Sequence, residues 1–282
     1  MTGRPVAAIA RLLGISRSSA YRETRARRSR YERRDDRAVT SRMRSVIGTR
    51  ASYGARRVRA IVNRDFGTGY NLKRIARLME INGWKLARSV RRRSGRAHTG
   101  LIRREISNER WSSDVLEISC WNGEYVQVGF VLDCCDREAI AFVAAPRDLS
   151  ARDIQSLMEK AVAKRFGEGN RAETPIQWLS DNGSIYTALD TVITAERLNL
   201  TPITTPARSP QSNGMSEAFV NTIKRDYVAG ADRSTAAAII EQISSWIEDY
   251  NAVAPHSALG FKSPLDYRRE QQQSVEELAQ MS

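Results

Sequence analysis

Three acidic residues far apart in the chain, Asp114, Asp181 and Glu217, stand where carboxylates could do chemistry. Glu217 lies in the stretch from Pro210 to Lys224. That stretch opens on breakers (Pro210, Asn213, Gly214) and then reads as a helix with Ala218, Phe219 and Ile223 on its apolar side. Ser212, Asn213 and Ser216 are the candidate caps. Asn213 lies four residues before Glu217, Asn221 four after and Lys224 seven after, so these polar groups share roughly one face. Each acid has an ordinary explanation. Glu217 is a first-turn acid favoured by the helix dipole. Asp181, in Ser180-Asp181-Asn182-Gly183, suits a turn, and Asp114 competes with nearby Glu117 as a strand residue facing solvent. Together they suggest something else. Converging carboxylates repel unless protonated or neutralised by cations, and an oxygen-only donor set selects hard ions such as Mg²⁺ or Mn²⁺. Two such ions can activate a water or a 3′-hydroxyl and stabilise the leaving oxygen of a phosphodiester.

Convergence requires the right elements. From 110 the pattern predicts strands over 111–118, 125–132 and 139–145, the first two joined by a turn containing Asn122-Gly123. A helix over 150–166, a strand over 176–179, a helix over 189–198 and a strand over 201–204 follow. Then come the helix carrying Glu217 and a last one over 235–250. This order gives a mixed five-stranded sheet covered by helices, an α/β class. The first and fourth strands can be neighbours, with Asp114 in one and Asp181 at the end of the other. Trp111 and Trp178 read as core.

The chain's charge is divided. Residues 1–104 hold 29 Lys and Arg against 6 Asp and Glu, whereas the remaining 178 residues are net acidic, although the whole carries +13. A dense basic front fits a polyanion. Residues 1–50 read as a small all-α segment: a helix-turn-helix over 5–27, with Arg17, Ser18 and Arg22 on its second helix, then an Arg-rich helical connector. Residues 51–84 form a second two-helix unit bearing Arg56, Arg57, Lys73 and Arg74. Residues 85–108 are a basic linker with Arg91, Arg92 and Arg93, residues 109–270 the sheet-forming core and C-terminal helices, and 271–282 a tail. Three cysteines and two histidines, scattered as they are, make neither a disulfide framework nor a zinc module, so no zinc is expected. No signal peptide and no long apolar run stands in the sequence, so a soluble, cytoplasmic protein with no membrane partner is expected.

Trp111-Ser-Ser-Asp114, Ser180-Asp181-Asn182-Gly183-Ser184 and Ser209-Pro210-Gln-Ser-Asn213-Gly214-Met-Ser-Glu217, with 35 residues between the last two acids, resemble the DDE core of bacterial insertion-sequence transposases of the OrfB type, relatives of retroviral integrases. Lys224 matches a basic residue of that group. The segments 132–138 and 53–57, and Pro255-His-Ser-Ala-Leu-Gly260 with Ser263-Pro264, look similar too, so the resemblance covers nearly the whole chain. It implies an RNase H-like catalytic domain and metal-dependent DNA cleavage and strand transfer at element ends. Asp114, Asp181 and Glu217 would be the ligands of Mg²⁺, with Mn²⁺ as substitute. Lys224 and Asn213 would lie at DNA, with Gly214 shaping the entry to the helix. Asp133 and Asp136 are read as structural. The implied partners are double-stranded DNA at element ends and target, a homodimer or higher assembly on DNA, and an upstream-frame protein or its fusion to this chain. Ala254 stands where a basic residue is expected before Pro255-His256. Two other readings share parts of this pattern: a catalytically inactive DNA-binding regulator or partial transposase, and an RNase H-like nuclease.

Overall fold

The computed structural model describes residues 33–87, 104–204 and 214–280, together with Ala10 and Gly14. The helix-turn-helix expected over 5–27 and the Arg91–Arg93 run lie outside the described residues. Residues 1–45 and 46–282 form two compact units. Helix α1 (Asp36–Thr49) begins in the first, where Asp36 accepts a hydrogen bond from the Arg33 amide at 2.9 Å.

In the second unit, α2 (Ala55–Asp65) and α3 (Leu72–Ile81) form the expected two-helix pair. Asn71 caps α3 by accepting from the Arg74 amide at 2.8 Å. Val58, Ile61 and Val62 of α2 and Ile75, Leu78 and Met79 of α3 are their buried residues.

The sheet follows: β1 (Arg110–Ser119), β2 (Tyr125–Asp133), β3 (Ala139–Ala145), helix α4 (Ala151–Phe166) and β4 (Ile176–Ser180). A short helix α5 (Ser184–Thr187), α6 (Leu189–Arg197) and β5 (Leu200–Thr204) complete it. Gly123 takes the left-handed conformation that the β1–β2 turn requires, with φ 88°. Ser150 and Asp153 close a capping box at the head of α4. The strand order is β3-β2-β1-β4-β5, with β1–β2 and β2–β3 antiparallel and β1–β4 and β4–β5 parallel. That is the expected mixed five-stranded sheet.

Beyond the sheet come α7 (Gly214–Asp226), α8 (Ala236–Ala252) and α9 (Pro264–Gln280). Residues 271–280, read from sequence as a tail, continue α9. Alternation along the strands splits the core in two. On one face Trp111, Val131, Ile140 and Trp178 pack with Ile154, Leu157 and Met158 of α4. On the other, Leu116, Ile118, Val128, Phe130 and Leu132 pack with Phe219 and Ile223 of α7 and with Ile239, Ile243 and Trp246 of α8. Trp111 and Trp178 are core residues, their rings edge to face at 6.5 Å. Among the described residues no helix is long and apolar enough to cross a membrane.

Candidate active site

The parallel register between β1 and β4 sets Arg110 opposite Gln177, Trp111 opposite Trp178 and Ser112 opposite Leu179. Carried on by two residues, it aligns Asp114 with Asp181, the first residue after β4. Adjacent strands lie about 4.8 Å apart. Ser112 and Asp114 share one face of β1, and two contacts fix which face. The Ser112 and Ser216 hydroxyls hydrogen-bond at 2.9 Å on the α7 side, and the Ser113 hydroxyl meets that of Tyr186 at 3.0 Å on the other.

Glu217 follows Ser216 directly. Its helix is held at a second point, for the Phe219 ring packs, tilted at 42° and 4.4 Å between centroids, on Phe130, the β2 residue paired with Asp114. Asp114, Asp181 and Glu217 therefore belong to the same face of the sheet and the same end of β1 and β4. Ser216 is not the cap weighed for this helix. It is buried in the first turn, and its hydroxyl ties the helix to β1.

The Asp114 carboxylate accepts from the Val115 amide at 2.8 Å and is half-buried; the Asp181 carboxylate accepts from the Gly183 amide at 3.0 Å and is exposed. Burial pushes the Tyr186 hydroxyl well above the usual phenol range, against the Ser113 bond, and the negative charges of both Asp114 and Asp181 add to the rise. Glu217 is exposed, as is Lys224 two turns further along α7. As donors the three carboxylates suit a hard divalent cation. Their side chains do not form a closed shell: among the described residues no three His, Cys, Asp or Glu side chains are placed to hold a metal ion.

The expected nucleic-acid contacts divide. Arg56 and Lys73 are exposed. Arg74 lies 5.2 Å from the Tyr70 ring centroid. Arg57 is committed elsewhere: it pairs at 2.5 Å with Asp226, which is 3% exposed, and stacks over the Tyr53 ring at 3.9 Å. That pair engages the guanidinium that the sequence reading assigned to DNA. Asn213, Arg17, Ser18, Arg22 and Arg91–Arg93 lie outside the described residues.

Asp133 and Asp136 are structural, as read. With Glu138 they surround the fully buried Arg165, which stands 3.2 Å from both Asp136 and Glu138. Burial first, then the neighbouring Asp136, raises the Asp133 carboxyl to about 6. His256 packs edge to face on Tyr250 at 4.5 Å, and burial lowers its imidazole to about 4. The Ser112–Ser216 and Ser113–Tyr186 contacts escaped the sequence reading. Strand alternation could have placed Ser112 beside Asp114, but no local signal joins it to Ser216, 104 residues away.

Residues 104–210 and 198–264 match two family models, each described as an integrase core domain. The chain is 40% identical over 280 residues to "Transposase InsD for insertion element IS2A/D/F/H/I/K" of Escherichia coli, covering 95% of this chain and 92% of that relative. It is equally similar to the InsD transposase of element IS2-9 of Escherichia coli strain K12, covering 95% and 90%. Among solved structures, a simian T-cell lymphotropic virus intasome in complex with PP2A regulatory subunit B56 gamma aligns at a TM-score of 0.48 and 14% identity, over 81% of this chain and 73% of that one. The Mos1 transposase catalytic domain with Raltegravir and Mg aligns at 0.40 and 16%, over 50% and 71%.

Proposed function

The chain belongs to the integrase-core transposases of bacterial insertion sequences, and on that premise we propose that Asp114, Asp181 and Glu217 are its catalytic carboxylates. The observation that carries the reading is the β1–β4 register together with the Ser112–Ser216 bond, which bring residues from three distant segments to one face.

The three carboxylates would hold Mg²⁺, or Mn²⁺ in its place. When bound, such ions supply Lewis-acid stabilisation of the attacking and leaving oxygens of a phosphodiester. The protein's own part is positional. Asp114 is fixed within a central strand, and its carboxylate is held by the Val115 amide. Asp181 is held at the strand end by the Gly183 amide. Glu217 arrives on a helix pinned by Ser216 and Phe219. Holding a DNA 3′-hydroxyl and a target phosphate in line converts an encounter between two molecules into a step within one complex. Lys224, on the Glu217 stripe of α7, would meet the phosphate backbone. Asn213 belongs to the same proposed contact.

The basic residues before 105 would hold the element's inverted repeats in double-stranded DNA: Arg17, Ser18 and Arg22 in the first helical segment, Arg56, Lys73 and Arg74 in the second, and Arg91, Arg92 and Arg93 in the linker. Joining two ends requires at least a dimer on DNA. An upstream-frame protein, or its fusion to this chain, is a proposed partner, and the nucleoid the proposed location.

The test is joining of a labelled 3′-end oligonucleotide to plasmid DNA with Mg²⁺, by the chain and by Asp114→Asn. The variant should bind the oligonucleotide as the parent does and join it about 10²-fold more slowly or worse, the scale for losing one preorganised electrostatic group. Undiminished joining by Asp114→Asn would remove Asp114 from the site.

A further inference from the structure

A cavity of about 550 Å³ opens beside α7, between that helix, the start of α2 and the loop at 254–261. It adjoins the proposed catalytic face. Ala218, Thr222 and Arg225 line it from α7, roughly a third of a helical turn around from Glu217. Four arginines (Arg56, Arg57, Arg137 and Arg225) line the cavity and no acidic residue does. Arg57 and Arg225 are bound to Asp226. Arg56 and Arg137 have no hydrogen bond or ion pair from their guanidinium groups among the described residues, leaving two cations uncommitted at one cavity.

The backbone adds an independent observation. Four non-glycine residues among those described have positive φ, and two of them, Arg137 at 61° and Phe261 at 69°, line this cavity. Bulky side chains rarely adopt that conformation, and such strain concentrates at ligand clamps. The rest of the wall is mainly apolar or aromatic, with Leu72, Met215, Phe219 and Phe261, beside the polar Thr222, His256 and Ser257. Uncommitted arginines beside an aromatic, acid-free hollow suit a ligand with a flat ring and a phosphate. They are the parts of a single-strand nucleic-acid site, where bases stack on aromatic rings and cations follow the backbone.

We propose that this cavity takes an unpaired nucleotide from the tip of the DNA end, its base against Phe261 and its phosphates at Arg56 and Arg137. The proposal rests on the transposase reading above. It gives the α2–α3 unit a role at the DNA tip, because Arg56 stands on α2, and it leaves Glu217 and Lys224 free to face the duplex. Seating a splayed tip beside the catalytic helix fixes the position of the strand that is to be joined.

The test uses the full chain and one duplex in two forms, blunt and with an unpaired terminal nucleotide carrying 2-aminopurine. The frayed form should bind about tenfold more tightly, within the range for stacking one base, and its fluorescence should be quenched. Ala258→Trp, which fills the cavity from an exposed position, and Arg137→Asn, which suits the left-handed backbone but lacks the guanidinium, should each abolish the preference and leave blunt-end binding intact. Equal affinity for the two forms, or an unchanged preference in both variants, overturns the pocket while leaving the transposase reading standing. Failure to bind either form overturns the DNA reading and the pocket with it. A free deoxynucleoside monophosphate, at the concentration of the duplex, should not reverse the quench; reversal would assign the cavity to a soluble nucleotide instead.

Discussion

At the scale of single residues, small groups hold the acids. The Gly183 amide donates to Asp181, and a Cβ built at Gly183 would meet the Asp181 carboxylate oxygen at 2.9 Å. Gly183 has φ −59°, which alanine tolerates, so the backbone need not change. Gly183→Ala should therefore displace the Asp181 side chain at little cost in stability, within about 0.5 kcal/mol. Strand joining should fall at least tenfold while the urea midpoint barely moves, and unchanged joining would count against Asp181 as a working carboxylate. His256 makes a second case, one of stability alone. Its folded pKa of about 4 lies below its ordinary value, so the unfolded chain binds the extra proton first. Its contribution is complete above the ordinary imidazole pKa of about 6.5 and is lost as pH falls from there toward 4, by at most about 3 kcal/mol. Urea midpoints between pH 7 and 4 should fall more steeply for the parent than for His256→Gln, and parallel curves would contradict the burial of this ring. Asp133 titrates in the same window with the opposite sign, and comparison with the His256 variant cancels it.

At the scale of elements, what the sequence revealed follows the range of the physics. Local patterns found every strand to within a residue or two, because alternation, the Asn122-Gly123 turn and the Ser150 cap act over a few neighbours. The short α5, the extension of α9 and the role of Ser216 were not legible. The first is a single turn set by the chain's return from β4. The second is exposed along much of its length and lacks an apolar stripe to announce it. The third depends on a hydroxyl 104 residues away. The acids could be named from their motifs, yet their common face follows only from the β1–β4 register. Ser216 tests this link from helix to sheet. Ser216→Ala leaves the buried Ser112 hydroxyl unpaired and should cost about 1–2 kcal/mol. Adding Ser112→Ala should cost little more, because no polar group is then stranded. Joining should fall in both variants, since α7 has lost its tie beside Glu217. Full activity in the double variant would show that the tie does not position the acid.

For the whole molecule, the question is how the basic front meets the acidic core. In the 46–282 unit this junction is built from ion pairs. Arg50 pairs with Asp249 at 2.5 Å, Arg57 with Asp226 at 2.5 Å, and the Ser52 hydroxyl donates to Asp226 at 2.5 Å. The division of charge seen along the sequence is thus in part an internal complementarity. Some arginines of the basic third hold the two-helix unit to the core, and fewer remain for phosphate than the net charge suggests. Asp226→Ala strands Arg57 half-buried and should destabilise the chain by about 3 kcal/mol. If the thermal midpoint of this variant matched that of the parent, the docking would not be held by this pair.

The central claim is that Asp114, Asp181 and Glu217 act as one site. Groups that work as a unit are non-additive when removed. Mg²⁺-dependent joining of a 3′-end oligonucleotide should be measured for Asp114→Asn, Asp181→Asn, Glu217→Gln and the Asp114→Asn/Glu217→Gln double variant, with DNA binding followed in parallel. Each single change should abolish most joining with binding retained, and the double variant should be no slower than the slower of its two singles. Losses that multiply in the double variant, or any single variant that joins at the parent's rate, would contradict it.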